Sequence, residues 1–166
     1  MTFPASSLPV GSAPSTVYAV VSQDSPTAGS DCFSHVIVWG GQSPTHMRGL
    51  LKGCQNTLAY ADTNETYKQQ SPLLGWRTRQ TQIARADFTA THVSVWMNGA
   101  PSYTWNLPSG TQLNTEYRPT GTFGASPQTG WGWRGRIAEV IVLSAVPTAS
   151  ENATIMRYLQ RKWCLP

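Results

Sequence analysis

The segment "THVSVWMNGAPSYTWN", residues 91–106, constrains the fold more than any other part of the sequence. In its first half, Val93, Val95 and Met97 occupy every second position, which is the period of a strand with one buried face. The Asn98-Gly99 pair that follows readily adopts the positive φ angles of a two-residue hairpin turn. The sequence therefore predicts an antiparallel hairpin here.

Four other segments carry the β-branched and aromatic residues of strands between turn formers. They are residues 15–22, 33–41, 48–64 and 136–144. In the first of them, the alternating pattern predicts that Val17, Ala19 and Val21 share one face. Only a few residues separate the second segment from the third, so the third can return as its antiparallel partner. The fourth segment is nearly all apolar, and we predict that it is a central strand.

The C-terminal segment has the one convincing helical pattern of the chain. Thr148 and Glu151 have the spacing of a capping box, which predicts a helix over residues 148–163. At helical spacing, Ile155, Leu159 and Trp163 fall on one stripe of the helix surface, with Asn152 and Met156 beside it. We therefore expect this helix to pack against the rest of the molecule by that face.

The composition favours many short strands joined by turns. Charged residues make up 12% of the chain, about half of the ~25% usual in globular proteins, and 14 glycines and 12 prolines are spread along it. We predict one domain over residues 1–166, an all-β antiparallel β-sandwich with one C-terminal α-helix, which begins with an extended segment over residues 1–14. No stretch approaches the ~18 apolar residues of a membrane span, and the N-terminal residues lack the pattern of a secretory signal.

Several of these segments match the pattern of a known family. Residues 135–142, followed by Tyr158-Leu159 and Lys162-Trp163, resemble the C-terminal half of laminin G-like, concanavalin A-like jelly-roll domains of bacterial and phage surface proteins. Residues 93–99 and 15–21 are similar to a hairpin and to an early strand of that family. The resemblance implies a jelly-roll sandwich that binds glycans or proteins at cell surfaces. It implies no particular ligand, because one fold supports many functions.

The N-terminus departs from that family. Such domains usually have a strand upstream of the position matched by Ser15, and here only 14 Pro- and Ser-rich residues precede it. Either the N-terminus is abbreviated or a sheet edge is completed by another chain. We expect residues 2–14 or another subunit to cover that edge.

The stretch "GWGWRG", residues 130–135, is the strongest candidate for a binding surface. In an extended segment its two indoles share one side, and the glycines around them leave the ring faces uncovered. A sugar stacks its CH face on such rings while an arginine donates hydrogen bonds. The alternative is that the indoles plug the open end of the sandwich. The predicted carbohydrate-binding residues are Trp131, Trp133 and Arg134, followed by Trp76, Tyr103 and Trp105. Core or inter-sheet packing is predicted for Trp39, Trp96 and Trp163.

Catalytic chemistry has no clear pattern in the sequence. A glycosidase needs two neighbouring carboxyl groups, and the eight acidic residues show no pair at i, i+2 or i, i+4. Glu139 is alone in its strand, and we expect it to accept a hydrogen bond from an arginine or the backbone. The chain has no GxSxG motif, and its three histidines lack the spacing of metal ligands. We therefore predict that the protein is not an enzyme.

Two further classes of ligand are weakly indicated. The formal charge is +4, but the basic residues are scattered singly or in pairs, so nucleic-acid binding is not predicted. Asp62, Asn64 and Glu65 are oxygen ligands that would suit Ca²⁺, as in some laminin G-like domains. The favoured alternative is a hairpin turn built from Asp and Asn, so no cofactor is predicted.

The three cysteines are too few for a disulfide framework. If residues 33–41 and 48–64 form a hairpin, Cys32 lies within two residues of Cys54, which is close enough for a disulfide. The competing interpretation is two reduced, separately buried cysteines. Cys164 would remain free or link to another chain.

These observations predict a non-catalytic binding module for carbohydrate at a virion or bacterial surface. The alternative is a structural virion protein, a capsid decoration or fibre subunit that acts through protein–protein contacts. An aromatic-rich, charge-poor sandwich suits both roles, and the two differ in whether the ligand is a glycan or a neighbouring subunit.

Overall fold

The computed structural model describes residues 1–24, 33–41, 47–53, 59–61, 77–107, 109–110, 112–124 and 132–166. These ranges contain ten β-strands and one α-helix. In chain order they are β1 (Thr2–Pro4), β2 (Ser15–Gln23), β3 (Phe33–Gly40), β4 (Met47–Gly53), β5 (Ala59–Ala61), β6 (Thr81–Phe88), β7 (His92–Met97), β8 (Ala100–Asn106), β9 (Thr120–Phe123), β10 (Gly135–Leu143) and α1 (Ala149–Lys162). The predicted antiparallel β-sandwich with one C-terminal helix is confirmed.

Two five-stranded sheets pack face to face around the core. The strand order is β1-β9-β3-β4-β5 in the first sheet and β10-β2-β6-β7-β8 in the second. As predicted, Val17, Ala19 and Val21 of β2 face the core, and Val93 and Val95 of β7 join them there. Complete burial of a side chain of this size stabilises the fold by about 1.5–3 kcal/mol. This inner layer therefore supplies most of the force that holds the two sheets together.

The predicted hairpin connects β7 and β8. Asn98 and Gly99 have φ angles of 51° and 80°, which are the positive values of the expected tight turn. Asn98 also binds β6, because its backbone N–H donates to the Ile83 carbonyl and its side-chain oxygen accepts from the Ile83 N–H, both at 2.8 Å. The turn thus fixes the register of three neighbouring strands at this end of the second sheet.

The helix α1 covers the outer face of the second sheet. It begins with the predicted capping box, in which the Thr148 side chain accepts from the Glu151 N–H and the Glu151 carboxylate accepts from the Thr148 N–H. Leu159 packs in a second apolar cluster with Tyr18 and Val20 of β2. The outward-facing side of β2 is therefore buried under the helix, as its inward-facing side is buried between the sheets.

The prediction that residues 136–144 form a central strand is wrong. Within the described ranges, β10 pairs only with β2 and lies at the edge of the second sheet. Its apolar composition has another cause, because both of its faces are covered. Ile137 and Val140 pack on the core, while Ile141 packs in the cluster under α1. An apolar run reports that two faces are covered and says nothing about the number of strand neighbours.

The N-terminal segment forms the upstream edge strand that the family pattern led us to expect. β1 pairs with β9, where Phe3 lies opposite Gly121, and the next residue, Ala5, donates its N–H to the Pro119 carbonyl at 2.8 Å. Further along, Gly11 exchanges backbone hydrogen bonds with Thr115. Residues 2–14 therefore cover this edge of the first sheet within one chain.

The antiparallel pairing of the second and third predicted strands is confirmed. The segment 48–64 contains two strands, β4 and β5, and β4 pairs with β3 from Gly40↔Met47 to Phe33↔Gly53. Cys32 and Cys54 lie outside the described residues, so their disulfide stays a prediction. Cys164 is exposed and free.

A buried arginine connects the two sheets to the N-terminal segment. The guanidinium group of Arg48 on β4 is fully enclosed. It donates to Thr115 Oγ1 at 2.6 Å, to Ser15 Oγ at 2.7 Å, and to the carbonyls of Ala13 and Gly11 at 2.8 Å each. Burial lowers the pKa of Arg48 to about 9, which is still above neutral pH. The core therefore contains a charge whose described hydrogen-bond partners are all neutral oxygens.

We expect Arg48→Leu to lower the free energy of unfolding by at least ~3 kcal/mol, because it leaves buried oxygens without a donor. Arg48→Lys keeps the charge but loses the planar fork, so an intermediate loss is expected. Urea unfolding checks both variants against Arg157→Leu, which alters an exposed arginine of α1. A loss for Arg48→Leu no larger than that of the control would contradict this role.

Tyr18 gives the stability an alkaline dependence. Its hydroxyl donates to Asn152 Oδ1 of α1 at 2.8 Å, and burial raises the pKa of Tyr18 to about 12. Between pH 10 and 12 the folded chain therefore holds a proton that the unfolded chain has released. We expect the contribution of Tyr18 to stability to be complete below pH 10 and to fall as the pH rises towards 12. The difference in unfolding free energy between the wild type and Tyr18→Phe, measured against pH, should shrink over this interval. A constant difference would show that Tyr18 ionises alike in both states.

Candidate functional site

The end of β2 brings together two segments that are far apart in the sequence. Arg79 donates its backbone N–H to the Gln23 carbonyl at 2.7 Å, and Thr78 forms a parallel bridge with Gln23. On the other side of β2, the Asp24 N–H donates to the Arg134 carbonyl at 3.1 Å. We call this region the β2-end surface and define it as Gln23 and Asp24 with residues 77–79 and 132–136.

Glycine allows the close approach of β10 to β2 at this surface. A Cβ atom on Gly135 would lie 2.0 Å from the Ser22 carbonyl oxygen, and the φ angle of Gly135 is 149°, in a region that favours glycine. The predicted role of this glycine was to uncover the neighbouring rings. The structure adds that its missing side chain lets the segment with Trp133 and Arg134 join the second sheet.

Trp133 is half-buried, and its ring packs against the core cluster between the sheets. Its backbone N–H donates to the Gly124 carbonyl at 2.9 Å, which holds the segment against the end of the sandwich. For Trp133 this geometry favours the alternative in which the indole plugs the open end. Trp131 lies outside the described residues, and so does Trp76.

Arg134 is exposed, and three more exposed arginines accompany it: Arg77, Arg79 and Arg136. The backbones of residues 77–79 and 134 flank β2 on opposite sides, so two strand spacings, roughly 10 Å, separate them. Sequence analysis missed this cluster because the basic residues are scattered along the chain. A signal was present, since both segments have the pattern Trp-Arg-x-Arg, as "WRTR" from Trp76 and as "WRGR" from Trp133.

Two other predicted binding residues lie at the opposite edge of the second sheet. Trp105 on β8 is only 3% exposed, so it has no free ring face and the prediction of a stacking surface there is wrong. Trp105 lies on the inward face of β8 and belongs to the core between the two sheets. Tyr103 is 39% exposed, and its ring is stacked on Trp105 at 6.2 Å. Four strand spacings, roughly 19 Å, separate β8 from β10, so Tyr103 is remote from Trp133.

The tryptophans assigned to packing have three different environments. Trp39 lies in the core, and its Nε1 donates to the Pro9 carbonyl at 2.9 Å. Trp96 lies half-buried on β7, where the Arg85 guanidinium group is 4.2 Å from its ring centroid. Trp163 packs under the C-terminal end of α1. Core packing is thus confirmed for Trp39, whereas Trp96 and Trp163 pack outside the inter-sheet core.

Glu139 is engaged by the helix, and not by an arginine or the backbone as predicted. Its carboxylate accepts from Trp163 Nε1 at 2.7 Å, from the Tyr158 hydroxyl at 2.8 Å and from Lys162 Nζ at 3.1 Å. Burial by itself would raise the pKa of Glu139, but these hydrogen bonds outweigh it and the pKa lies below its usual range. The residues of the family-like C-terminal pattern therefore fasten α1 to β10.

The other carboxylates in contact with described partners also have structural roles. Asp87 is bound by Arg85 and by the Thr16 hydroxyl, and both partners are buried with it. Glu116 pairs with Arg118 at 3.2 Å, and Glu151 closes the capping box. No group of three or more His, Cys, Asp or Glu side chains gathers in the described part of the chain. Asp62, Asn64 and Glu65 lie outside it, so the Ca²⁺ site stays an untested alternative.

Several concavities of the described residues lie away from the β2-end surface. An apolar groove of about 470 Å³ runs between residues 143–147 and the first turns of α1, and its one carboxylate, Glu151, is already bound to Thr148. A smaller pocket of about 280 Å³ on the first sheet contains Arg118, which pairs with Glu116. Neither of these two contains a predicted carbohydrate-binding residue, whereas a concavity of about 190 Å³ on the second sheet is lined by Tyr103 and Trp96.

Solved structures share the fold of this chain at low sequence identity. The CBM40 domain of the IT-sialidase of Ruminococcus gnavus, bound to α2,3-sialyllactose, is similar with a TM-score of 0.68 and 12% identity over 94% of this chain and 91% of its own. Domain 4 of AbnA, a GH43 extracellular arabinanase of Geobacillus stearothermophilus in complex with arabinotriose, is similar with a TM-score of 0.65. Its sequence identity is 15%, and the match covers 90% of this chain and 68% of that domain's chain. The native heptameric SAP-like pentraxin of Limulus polyphemus is similar with a TM-score of 0.61 and 15% identity, over 94% of this chain and 72% of its own.

No family model matches the chain, and no curated protein matches it. The likeness to the solved structures shows the sandwich fold, and the predicted laminin G-like family is not confirmed. Among the described residues, no helix is long and apolar enough to cross a membrane.

We expect Gly135→Ala to destabilise the protein by ~1–3 kcal/mol, because the new Cβ atom meets the backbone of β2. Gly132→Ala is the matched control, since the nearest atom to its Cβ, the Gly124 carbonyl oxygen, is 3.6 Å away. Thermal unfolding of both variants measures the difference. Equal melting temperatures would contradict the close approach of β10 to β2.

Proposed function

We propose that the protein is a non-catalytic carbohydrate-binding module whose ligand contacts the β2-end surface. The observation that carries the proposal is the convergence of residues 77–79 and 132–136 at Gln23 and Asp24. The sequence pattern predicted Trp133 and Arg134 together as part of one binding stretch, and Trp76 as a separate candidate. The backbone hydrogen bonds at the end of β2 explain how these parts of the chain act on one ligand.

The chemistry of the two segments suits a saccharide. Arginine side chains donate several hydrogen bonds in a fixed fork to hydroxyl or acidic groups. Trp131 and Trp76 directly precede the described residues Gly132 and Arg77 in the sequence, and they remain the predicted rings on which a sugar stacks. Trp133 supports the segment from below, because its ring packs on the core.

The carboxylates support a binding role over a hydrolytic one. Asp87, Glu139 and Glu151 each hold structural hydrogen bonds that a catalytic acid or nucleophile would have to give up. The fold neighbours add support for the ligand class, because two of them contain arabinotriose or sialyllactose. We place the module at a virion or bacterial surface, in line with the family that residues 135–163 resemble.

Glycan-array binding of the wild type and two aromatic variants tests the site. Trp131→Ala should weaken binding roughly fivefold to tenfold, since a stacked ring contributes about 1 kcal/mol. Tyr103→Ala removes an exposed ring at the opposite edge of the sheet and should leave binding unchanged. The reverse result would move the site to β8, and the absence of any glycan ligand would overturn the function.

Trp133→Ala is expected to behave differently from Trp131→Ala. Because the Trp133 ring packs on the core, its removal should lower the melting temperature as well as the affinity. Thermal unfolding beside the binding assay separates the supporting ring from the contacting one.

A structural role in a virion is the second candidate, and one observation favours it. β10 is a nine-residue edge strand with an apolar sequence, and β2 is its one partner among the described residues. Such an edge can pair with a strand of another subunit. The size of the protein in solution decides between the roles: a monomer that binds a glycan supports the module, and a stable oligomer without glycan binding supports the subunit.

A further inference from the structure

The β2-end surface carries most of the formal charge of the protein. It contains four arginines, Arg77, Arg79, Arg134 and Arg136, and one carboxylate, that of Asp24. Its formal charge is therefore +3, against +4 for the whole chain. The cations are scattered in the sequence, but the pairing of β2 with β6 and β10 concentrates them at one end of the sandwich.

Other basic side chains of the described residues are bound elsewhere. Arg48 is enclosed in the core, Arg85 pairs with Asp87, Arg118 pairs with Glu116, and Lys162 pairs with Glu139. Each of these cations is fixed by a partner within the fold. Arg157 and Arg161 are two further exposed cations of the described residues, and both belong to α1.

The backbone of Arg79 adds an independent observation. Its φ angle is 61°, in the left-handed region where glycine or asparagine is less strained. The hydrogen bond from the Arg79 N–H to the Gln23 carbonyl holds the residue in this conformation. A long cationic side chain therefore stands at a position whose backbone favours glycine. Strain of this kind gathers at functional sites, and here it points to a use for the guanidinium group.

We propose that the β2-end surface selects acidic polysaccharides, with carboxylate or sulfate groups along the chain, over neutral ones. This inference rests on the proposed carbohydrate-binding function and specifies its ligand class. Arginine binds carboxylate and sulfate groups through paired, charge-assisted hydrogen bonds, which are about twice as strong as neutral ones. The backbones of the two arginine pairs flank β2 about 10 Å apart. This separation suits successive acidic groups of a polymer better than one small anion.

Nucleic acid is the competing polyanion, and the surface suits it less well. A DNA-binding protein with about 6–10 phosphate contacts needs more cations than the four arginines gathered here. Trp76 and Trp131, which precede the two segments in the sequence, also remain the predicted rings on which a saccharide stacks. An oligonucleotide belongs in the experiment as the arm that would overturn the assignment.

The test compares acidic polymers with a neutral one, and dextran sulfate and dextran form the pair that shares a backbone and differs in charge. Binding of the wild type to dextran sulfate and to polygalacturonate is measured beside neutral dextran and single-stranded DNA, at low and at high ionic strength. We expect at least one acidic polymer to bind about 10-fold tighter than dextran, with an affinity that falls as salt screens the charges. The sulfate and carboxylate arms show which acidic group is preferred.

Two double variants separate the site from the overall charge. Arg77→Gln with Arg134→Gln removes one cation from each segment and should weaken binding of the acidic polymer by about 10-fold or more. Arg157→Gln with Arg161→Gln removes the same charge from the exposed side of α1 and should have little effect. Equal losses in both variants would reduce the effect to net charge and overturn the proposal.

Arg79→Gly protects the test against a trivial loss of folding. Glycine is favoured at a φ of 61°, so the melting temperature should stay the same or rise while binding of the acidic polymer weakens. Unchanged binding by this well-folded variant would remove Arg79 from the site.

The outcomes also separate this proposal from the proposed function. Binding of neutral glycans with no preference for acidic ones would overturn the acidic selectivity and leave carbohydrate binding in place. Single-stranded DNA bound as tightly as the acidic polymer, with the same dependence on arginine, would overturn both. Selective, arginine-dependent binding of an acidic polysaccharide would support both.

Discussion

The guanidinium group of Arg48 lies where both sheets and the N-terminal segment meet. It donates to the carbonyls of Gly11 and Ala13 and to the hydroxyls of Ser15 and Thr115, so one side chain connects four residues of two separate segments. The rings of Trp39 and Phe88 flank the cation, each with its centroid 5.8 Å away. A charge in this place is stable only while every donor keeps its oxygen, which makes the geometry of the surrounding segments interdependent.

β2 carries this constraint to the site. Its first residue, Ser15, is a ligand of the Arg48 guanidinium group, and its last residue, Gln23, binds the segment of Arg79. Between these ends the strand is buried on both faces, by the core and by α1. The β2-end surface therefore stands on a strand that is held at its far end and covered along its length. Such support suits a binding site, because rigid elements position side chains more closely than free loops do.

Local patterns predicted the elements well. Asn98-Gly99 specifies its own turn, and Thr148 with Glu151 specifies the start of α1, because the responsible hydrogen bonds connect residues close in the sequence. Non-local features were missed. In the sequence Arg48 resembles an ordinary surface cation, because the segments that enclose it are distant along the chain. The apolar strand β10 was predicted at the centre of its sheet, because a helix that covers one face of a strand produces the same apolar run as a central position does.

The candidate site was predicted in part for the same reason. The composition around Trp133 and Arg134 was visible in the sequence, but its meeting with Arg77 and Arg79 depends on the register of β2 with two other strands. Trp105 was misassigned because strand alternation alone does not tell which face is covered. For Trp131 and Trp76, which lie outside the described residues, the sequence remains the basis of the prediction.

The central place of β2 also bears on how the chain folds. Thr16 pairs with Asp87 on one side and with Leu143 on the other, and Phe3 pairs with Gly121. The first-half strands β1 and β2 thus wait for partners from the second half of this sequence, and the outer face of β2 waits for α1. Topologies rich in such distant contacts fold slowly and expose apolar strands meanwhile. During synthesis the apolar segment "VYAVV" therefore stays exposed until these partners have been made.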